Sequence, residues 1–292
     1  MKLEPECITC IFSQALRVCE TLHIPKEDTK RVLDEVALMI PGFSFSETPP
    51  QVAARVYPKI AEILGVDDIY AEQKREAVKH AERLLPAVIK RVEESDDRLH
   101  AALKASVAGN VIDLAATHSF SLEEEVQRVF ETPFALDDSP KLKRMLEDAG
   151  RLLVIGDNVG EHLFDRVLME QIGKLYPAVE IGYAVRGRPI INDVTAEYAK
   201  EASIDKVAVI IDSGVDTPGF DPERLSPDAR KYYESADLVI SKGMGNYESL
   251  NDRSARPVFY LMKIKCNVVA SSLGEKIGDI ICHYNYKGAG DV

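Results

Sequence analysis

The segment Leu152 to Glu161, LLVIGDNVGE, is an apolar run that stops at glycine, aspartate and asparagine before an amphipathic pattern resumes. It predicts a buried parallel strand whose carboxyl end delivers Asp157 and Asn158 into a crevice, with Glu161 opening the next helix. Hard oxygen donors there suit a metal ion and a phosphate. An equally simple alternative makes Asp157 a helix N-cap and Gly156 a turn residue. A second strand-like run leads to Asn192-Asp193-Val194-Thr195. Together Asp157, Asn158 and Asp193 would supply two carboxylates and an amide oxygen, leaving positions for water and substrate on a magnesium- or manganese-type ion. Asp193 alone also reads as a helix cap.

Two further strand ends carry groups suited to anions. Lys242 follows an apolar run and precedes Gly243-Met244-Gly245, where an ammonium and approachable backbone amides can meet a phosphate oxygen. A solvated lysine at an ordinary strand-to-helix turn fits the same residues. Ser213 and Gly214 either offer hydroxyl and amide donors to an anion or turn the chain. Asn110 and Asp113, three apart on one helix, either reach the crevice or make a bond between helices. His162 is the histidine nearest these groups, and its position gives no reason to assign it chemistry. Cys7 and Cys10 form a C-x-x-C that can be half of a zinc site, a redox pair, or two reduced thiols at the start of an amphipathic helix. Five cysteines without secretory context are expected to be reduced.

The elements that must position these groups divide the chain. From residue 6 to about 135 apolar residues recur at helical spacing, including a helix from Ile69 to Glu94 bent near Pro86 and one from Leu99 to Ala116. Thr48-Pro49-Pro50 marks a helix start. Beyond residue 140, runs at 152–155, 179–185, 207–211, 238–240 and 258–261 alternate with helical patterns at 161–175, 194–202, 222–234 and 246–252. The expected architecture is α/β: an all-helical domain over 1–140 and a Rossmann-like, doubly wound, mostly parallel sheet over 141–292 that carries the metal and phosphate site. The formal net charge of -12 on 292 residues disfavours a nucleic-acid partner. No signal peptide is recognisable and no apolar run nears the roughly 20 residues of a membrane span, so a cytoplasmic, membrane-free protein is expected.

Taken in order, the motifs resemble the damage-control phosphatase family, also catalogued as domain of unknown function 89. They are the C-x-x-C of one subfamily at Cys7 and Cys10, G-N-x-x-D with Asn110 and Asp113, G-D-N-x-G-E from Asp157 to Glu161, N-D-V-T from Asn192 to Thr195, and K-G-x-G-N from Lys242 to Asn246. The resemblance implies a phosphatase dependent on one divalent ion (manganese, magnesium, nickel or cobalt). Asp157, Asn158 and Asp193 would be its ligands, and Lys242 would bind the phosphate. Gly243, Ser213, Gly214, Asn110 and Glu161 complete the expected substrate contacts, with Cys7 and Cys10 as accessory thiols. The expected partner is a small phosphorylated metabolite, such as a sugar phosphate or a phosphopantetheine-type compound. The ion would acidify an attacking water, or Asp157 would itself attack the phosphorus. Two other classes compete. Gly156 to Gly160 is similar to the glycine-rich turn of S-adenosylmethionine-dependent methyltransferases, and the same fold could serve a non-enzymatic phosphometabolite-binding protein.

Overall fold

The computed structural model describes residues 1–111 and 122–286; of Asn110 it describes the backbone alone. Asp113 and the Asn110 side chain therefore lie outside the described residues. Helices α1 (Pro5–Thr21), α2 (Lys26–Met39) and α3 (Pro49–Leu64) come first. The expected start at Thr48 holds: its hydroxyl accepts from the Gln51 amide while the Gln51 side chain accepts from the Thr48 amide, a reciprocal cap ahead of two prolines. These three helices close a small core of their own around Val18, Val32, Val36, Val52 and Ile60.

Helices α4 (Ala71–Glu93), α5 (Arg98–Val111) and α6 (Leu122–Glu131) belong to the helical half by sequence, but their apolar faces join the core of the sheet. α4 continues through Pro86. The remaining elements are β1 (Phe134–Asp137), α7 (Ser139–Asp148), β2 (Arg151–Ile155), α8 (Glu161–Leu175), β3 (Glu180–Val185), α9 (Ala196–Glu201), β4 (Val209–Asp212), α10 (Pro227–Ser235), β5 (Leu238–Lys242), α11 (Met244–Leu250), β6 (Val258–Lys263), α12 (Asn267–Leu273) and β7 (Ile280–Asn285).

Among the described residues the strands form one seven-stranded sheet in the order β1-β7-β6-β5-β2-β3-β4. β2 to β6 are mutually parallel, while β7 runs antiparallel to β6 and pairs in parallel with β1. β2, β3, β5 and β6 read as near-continuous apolar runs because helices cover both faces. One face packs on α4, α5 and α8, the other on α10 to α12. The chain leaves β2 towards β3 and β4, then returns to β5 on the other side of β2. That reversal opens a crevice between the carboxyl ends of β2 and β5, where open α/β sheets bind ligands.

The sheet exceeds the sequence expectation at its far edge. β1 precedes residue 140 yet pairs with β7, and neither strand is expected from the sequence: the four residues of β1 at the edge carry too little periodicity to register, and the half-polar end of β7, HYN, blurs its short apolar run. α10 starts at Pro227 rather than residue 222 because the Ser226 hydroxyl accepts from the Ala229 amide there. Among the described residues no helix is long and apolar enough to cross a membrane.

Gly156 continues β2 where two elements meet: a Cβ there would stand 2.5 Å from the Tyr183 hydroxyl and 2.8 Å from Val194 Cγ1. Gly156→Ala is expected to destabilise the protein by about 1–3 kcal/mol through overpacking, measured by chemical denaturation. An unchanged midpoint would show that the β2 end has room to spare.

Candidate active site

Two loop segments build the site by pairing with each other. Past β2, the Asp157 carbonyl accepts from the Val194 amide at 2.8 Å, and the Val159 amide donates to the Asn192 carbonyl at 2.8 Å. Asn158 and Asp193 thus face each other in an isolated antiparallel bridge. This short backbone zipper brings Asp157, Asn158 and Asp193 together from the ends of two neighbouring strands. Neither aspartate caps a helix: Gly160, with φ 96°, stands at the N-cap of α8 and Thr195 at that of α9. From β5, Gly243 closes in behind with φ 74°; a Cβ there would fall 1.9 Å from Asp157 Oδ2, so only glycine fits.

Asp157 and Asp193 are almost fully buried, and Asn158 partly so. Burial pushes the Asp157 carboxyl above its ordinary range, against the pull of Lys265, Arg186 and Lys242. Burial also pushes Asp193 up to about 7; Arg186 opposes this and the Asp157 charge adds to it. Glu161 is likewise pushed up to about 7, by burial first and Asp157 second. The Asn158 amide donates to Asp157 Oδ2 at 2.9 Å and to Glu161 Oε1 at 2.7 Å, leaving its oxygen as the third hard donor. Like charges crowded in a poorly solvated site are relieved by a cation. Among the described residues no three histidine, cysteine, aspartate or glutamate side chains are grouped as a ready metal site. The donor set is instead two carboxylates and an amide, which fits a hard divalent ion with open positions.

The guanidinium of Arg186, buried at the end of β3, donates to Asp193 Oδ2 at 2.7 Å and to Asn246 Oδ1 at 2.8 Å. Its Nη1 is buried without a hydrogen-bond partner among the described residues. Asn246 is a junction. Its oxygen also accepts from the Phe220 amide at 2.7 Å, and its nitrogen donates to the Gly156 and Lys242 carbonyls at 3.0 and 2.6 Å. One amide thereby ties the ends of β2, β3 and β5 together.

A cavity of about 480 Å³ opens on the cluster. Asp157, Asn158 and Asp193 form part of its wall, with Lys265 from the loop after β6. Opposite stand α1 and α3, contributing Cys7, Cys10, Gln14 and Pro50, with Cys266 at the start of α12. The C-x-x-C therefore borders the same cavity as the acidic cluster. Burial pushes the Cys7 and Cys266 thiols up, so they are protonated and weakly nucleophilic near neutrality.

Other expected contacts are otherwise engaged. Lys242 does not line the cavity. Its buried ammonium donates to Asp165 Oδ1 at 2.6 Å and the Ser106 carbonyl at 2.8 Å, with Glu161 Oε2 at 3.7 Å. Burial disfavours that charge, but Asp165 and Glu161 outweigh it and hold the lysine above its ordinary value. Asp165 also accepts from Ser106 Oγ at 2.6 Å and Tyr183 at 2.9 Å. The Ser213 hydroxyl donates to the Val185 carbonyl, the Gly214 amide to Asp212, and the Gly243 amide to the Leu261 carbonyl, so the expected anion donors already have acceptors inside the fold. The glycines similar to a methyltransferase turn serve packing, Gly156 against Tyr183 and Gly160 against Ala77.

Sequence reasoning assigned no role to Arg186, Asp165 or Lys265. A charged residue closing the apolar β3 and an aspartate one turn past Glu161 were visible signals for the first two. Lys265 carried none.

Over residues 3–281 the chain matches the damage-control phosphatase ARMT1-like domain. It is 33% identical over 288 residues to a damage-control phosphatase of Archaeoglobus fulgidus, covering 96% of this chain and 98% of that protein. A damage-control phosphatase of Pyrococcus horikoshii is 33% identical over 287 residues, covering 98% and 99%. The crystal structure of a DUF89 family protein from Pyrococcus horikoshii aligns with a TM-score of 0.89 and 31% identity, over 98% of this chain and 100% of that one.

Lys242→Met would leave Asp165 buried without its cation, and is expected to cost about 3–5 kcal/mol in chemical denaturation. A loss below about 1 kcal/mol, typical of an exposed pair, would contradict the burial described. His162 accepts from the Gly160 amide at 2.9 Å, and burial holds its ring down to about 4 although Asp165 pulls upward. The folded state therefore binds fewer protons than the unfolded state between pH 6.5 and 4, and this residue's share of stability is lost as pH falls through that window, by about 3 kcal/mol in all. Stability measured against pH should fall less steeply there in His162→Gln than in the parent; parallel curves would refute the assignment.

Proposed function

The chain belongs to the damage-control phosphatase ARMT1-like family, and from that membership we propose that it hydrolyses phosphomonoesters of small metabolites with the help of one divalent ion held by Asp157, Asn158 and Asp193. The observation that supports this reading most directly is the Asn158–Asp193 bridge, which turns two strand ends into one donor set on the wall of a cavity. A bound ion would polarise the phosphoryl group and acidify the attacking water.

The chain's own groups have distinct tasks in this reading. Arg186 favours the ionised form of Asp193 against the effect of burial and aims it, a charge-assisted contact made before substrate arrives. Asn158 holds the Asp157 and Glu161 carboxylates in place through its amide hydrogens. Lys265, rather than Lys242, supplies the exposed positive charge that meets the phosphate at the cavity wall. Lys242 acts from behind, neutralising Asp165 and offsetting Glu161, so that burial of the acidic cluster is tolerated. The preference among manganese, magnesium, nickel and cobalt rests with ion size and ligand geometry. The methyltransferase alternative has no observation in its favour.

Stripping the protein with a chelator and restoring each ion separately should switch hydrolysis of p-nitrophenyl phosphate off and on. Asp157→Asn and Asp193→Asn should each lower metal-dependent kcat/KM by roughly two orders of magnitude or more, several kcal/mol of transition-state stabilisation, while calorimetric manganese affinity falls and helical circular dichroism persists. Near-normal turnover in both variants, or turnover indifferent to metal, would overturn the reading. Lys265→Ala should chiefly raise KM, and an unchanged KM would remove it from the phosphate site.

A further inference from the structure

The charges around the cavity are unequal in number and position. Among the described residues Lys265 is the one basic side chain on its wall, against the carboxylates of Glu6, Asp157, Asp193 and Glu248. Asp157 and Asp193 are accounted for by the proposed ion, but Glu6 and Glu248 are not. Glu6 is exposed on the first turn of α1, at the rim. Glu248 lies on α11, one turn past Met244, close enough to feel the Asp157 charge and to push up the Cys7 and Cys266 thiols. Burial pushes Glu248 up to about 7, with the N-terminal ammonium pulling down and Asp157 adding to the rise. That ammonium donates to the Glu248 backbone carbonyl at 2.7 Å and stands 3.8 Å from Asp252, and Met1 is not part of the cavity wall. Much of the remaining wall is uncharged, formed by Ile11, Pro49, Pro50, Ala53, Val268 and Ile277.

We infer that the cavity accepts esters bearing a single phosphate on an uncharged, partly apolar body, and that Glu248, with Glu6 at the rim, is a specificity determinant that rejects a second anionic group. This rests on the phosphatase reading above. One phosphate finds the ion and Lys265. A second, carrying most of two negative charges at neutral pH, would be desolvated against carboxylates with no basic side chain on the cavity wall left to meet it. Discrimination of this kind works through a repulsive element as much as an attractive one. Bisphosphates, nucleoside diphosphates and phosphorylated carboxylic acids therefore belong to the disfavoured class. A 480 Å³ space is of the size that encloses a small organic ligand.

The test compares hexyl phosphate with hexane-1,6-diyl bisphosphate, which share a body and differ in the second phosphate, on the manganese-loaded full chain. The monophosphate should have the higher kcat/KM by about tenfold or more. Glu248→Gln should narrow that ratio by raising kcat/KM for the bisphosphate, and a loss of packing alone would lower both values together. Should the Glu248 substitution disturb folding, Glu6→Gln at the exposed rim gives the same comparison with a smaller narrowing. Equal kcat/KM for the two compounds, or a ratio unmoved in folded variants, overturns the charge filter while leaving the phosphatase reading intact. Absence of turnover on either compound and on p-nitrophenyl phosphate with every ion overturns the phosphatase reading, and the filter with it.

Discussion

Asp157 and Asp193 are held side by side with little water around them, and most of the surrounding structure answers the repulsion this creates. Two carboxylates in such a place drift towards protonation unless positive charge is supplied. Arg186 supplies it from β3 by direct contact, Lys242 from β5 at the next remove through Glu161 and Asp165, and Lys265 from the loop after β6. Three cations from three different strand ends surround one acidic cluster. Burial raises the energy of the charged cluster, and under the proposed reading a divalent ion held there would lower it.

Such a cluster needs a stiff frame. The frame here is backbone and amide hydrogen bonding rather than side-chain packing alone. The zipper between the segments after β2 and β3 sets the register of the donors, and Asn246 uses all four of its hydrogen-bonding positions to lock β2, β3, β5 and the Phe220 loop together. Glycines stand where these strands approach too closely for a Cβ, at Gly156 and Gly243. Donors fixed in this way would need little reorganisation to take the proposed ion or a phosphate, which is the condition for strong electrostatic stabilisation of a developing charge.

The helical half contributes shape. α1 and α3 form the far wall of the cavity, so the acidic cluster stands on the sheet while the space in front of it is bounded by helices with a separate core. The thiols of Cys7, Cys10 and Cys266 are part of that wall.

Local pattern determined much of this protein. The apolar runs located β2 to β6, their alternation with helices announced a doubly wound sheet, and carboxylates at successive strand ends marked Asp157, Asn158 and Asp193 as a possible donor set. These features depend on residues within a turn or a strand of one another, a range over which periodicity is informative. Partner choice depends on residues far apart. Lys242 finds Asp165 across 77 positions and the Ser106 carbonyl across 136, and nothing near Lys242 in the chain indicated that its ammonium would be buried behind the cluster while Lys265 reached the cavity. Ser213, Gly214 and Gly243 were legible as donors, but only the packed structure gave those donors internal acceptors. The edge strand β1 and its neighbour β7 likewise depend on distant partners, since pairing of β1 with β7 and of β7 with β6, not a strong pattern of their own, makes each a strand. The residue types determined which groups were available; the fold, by deciding which of them lose water and which meet a partner, determined which remain free to act.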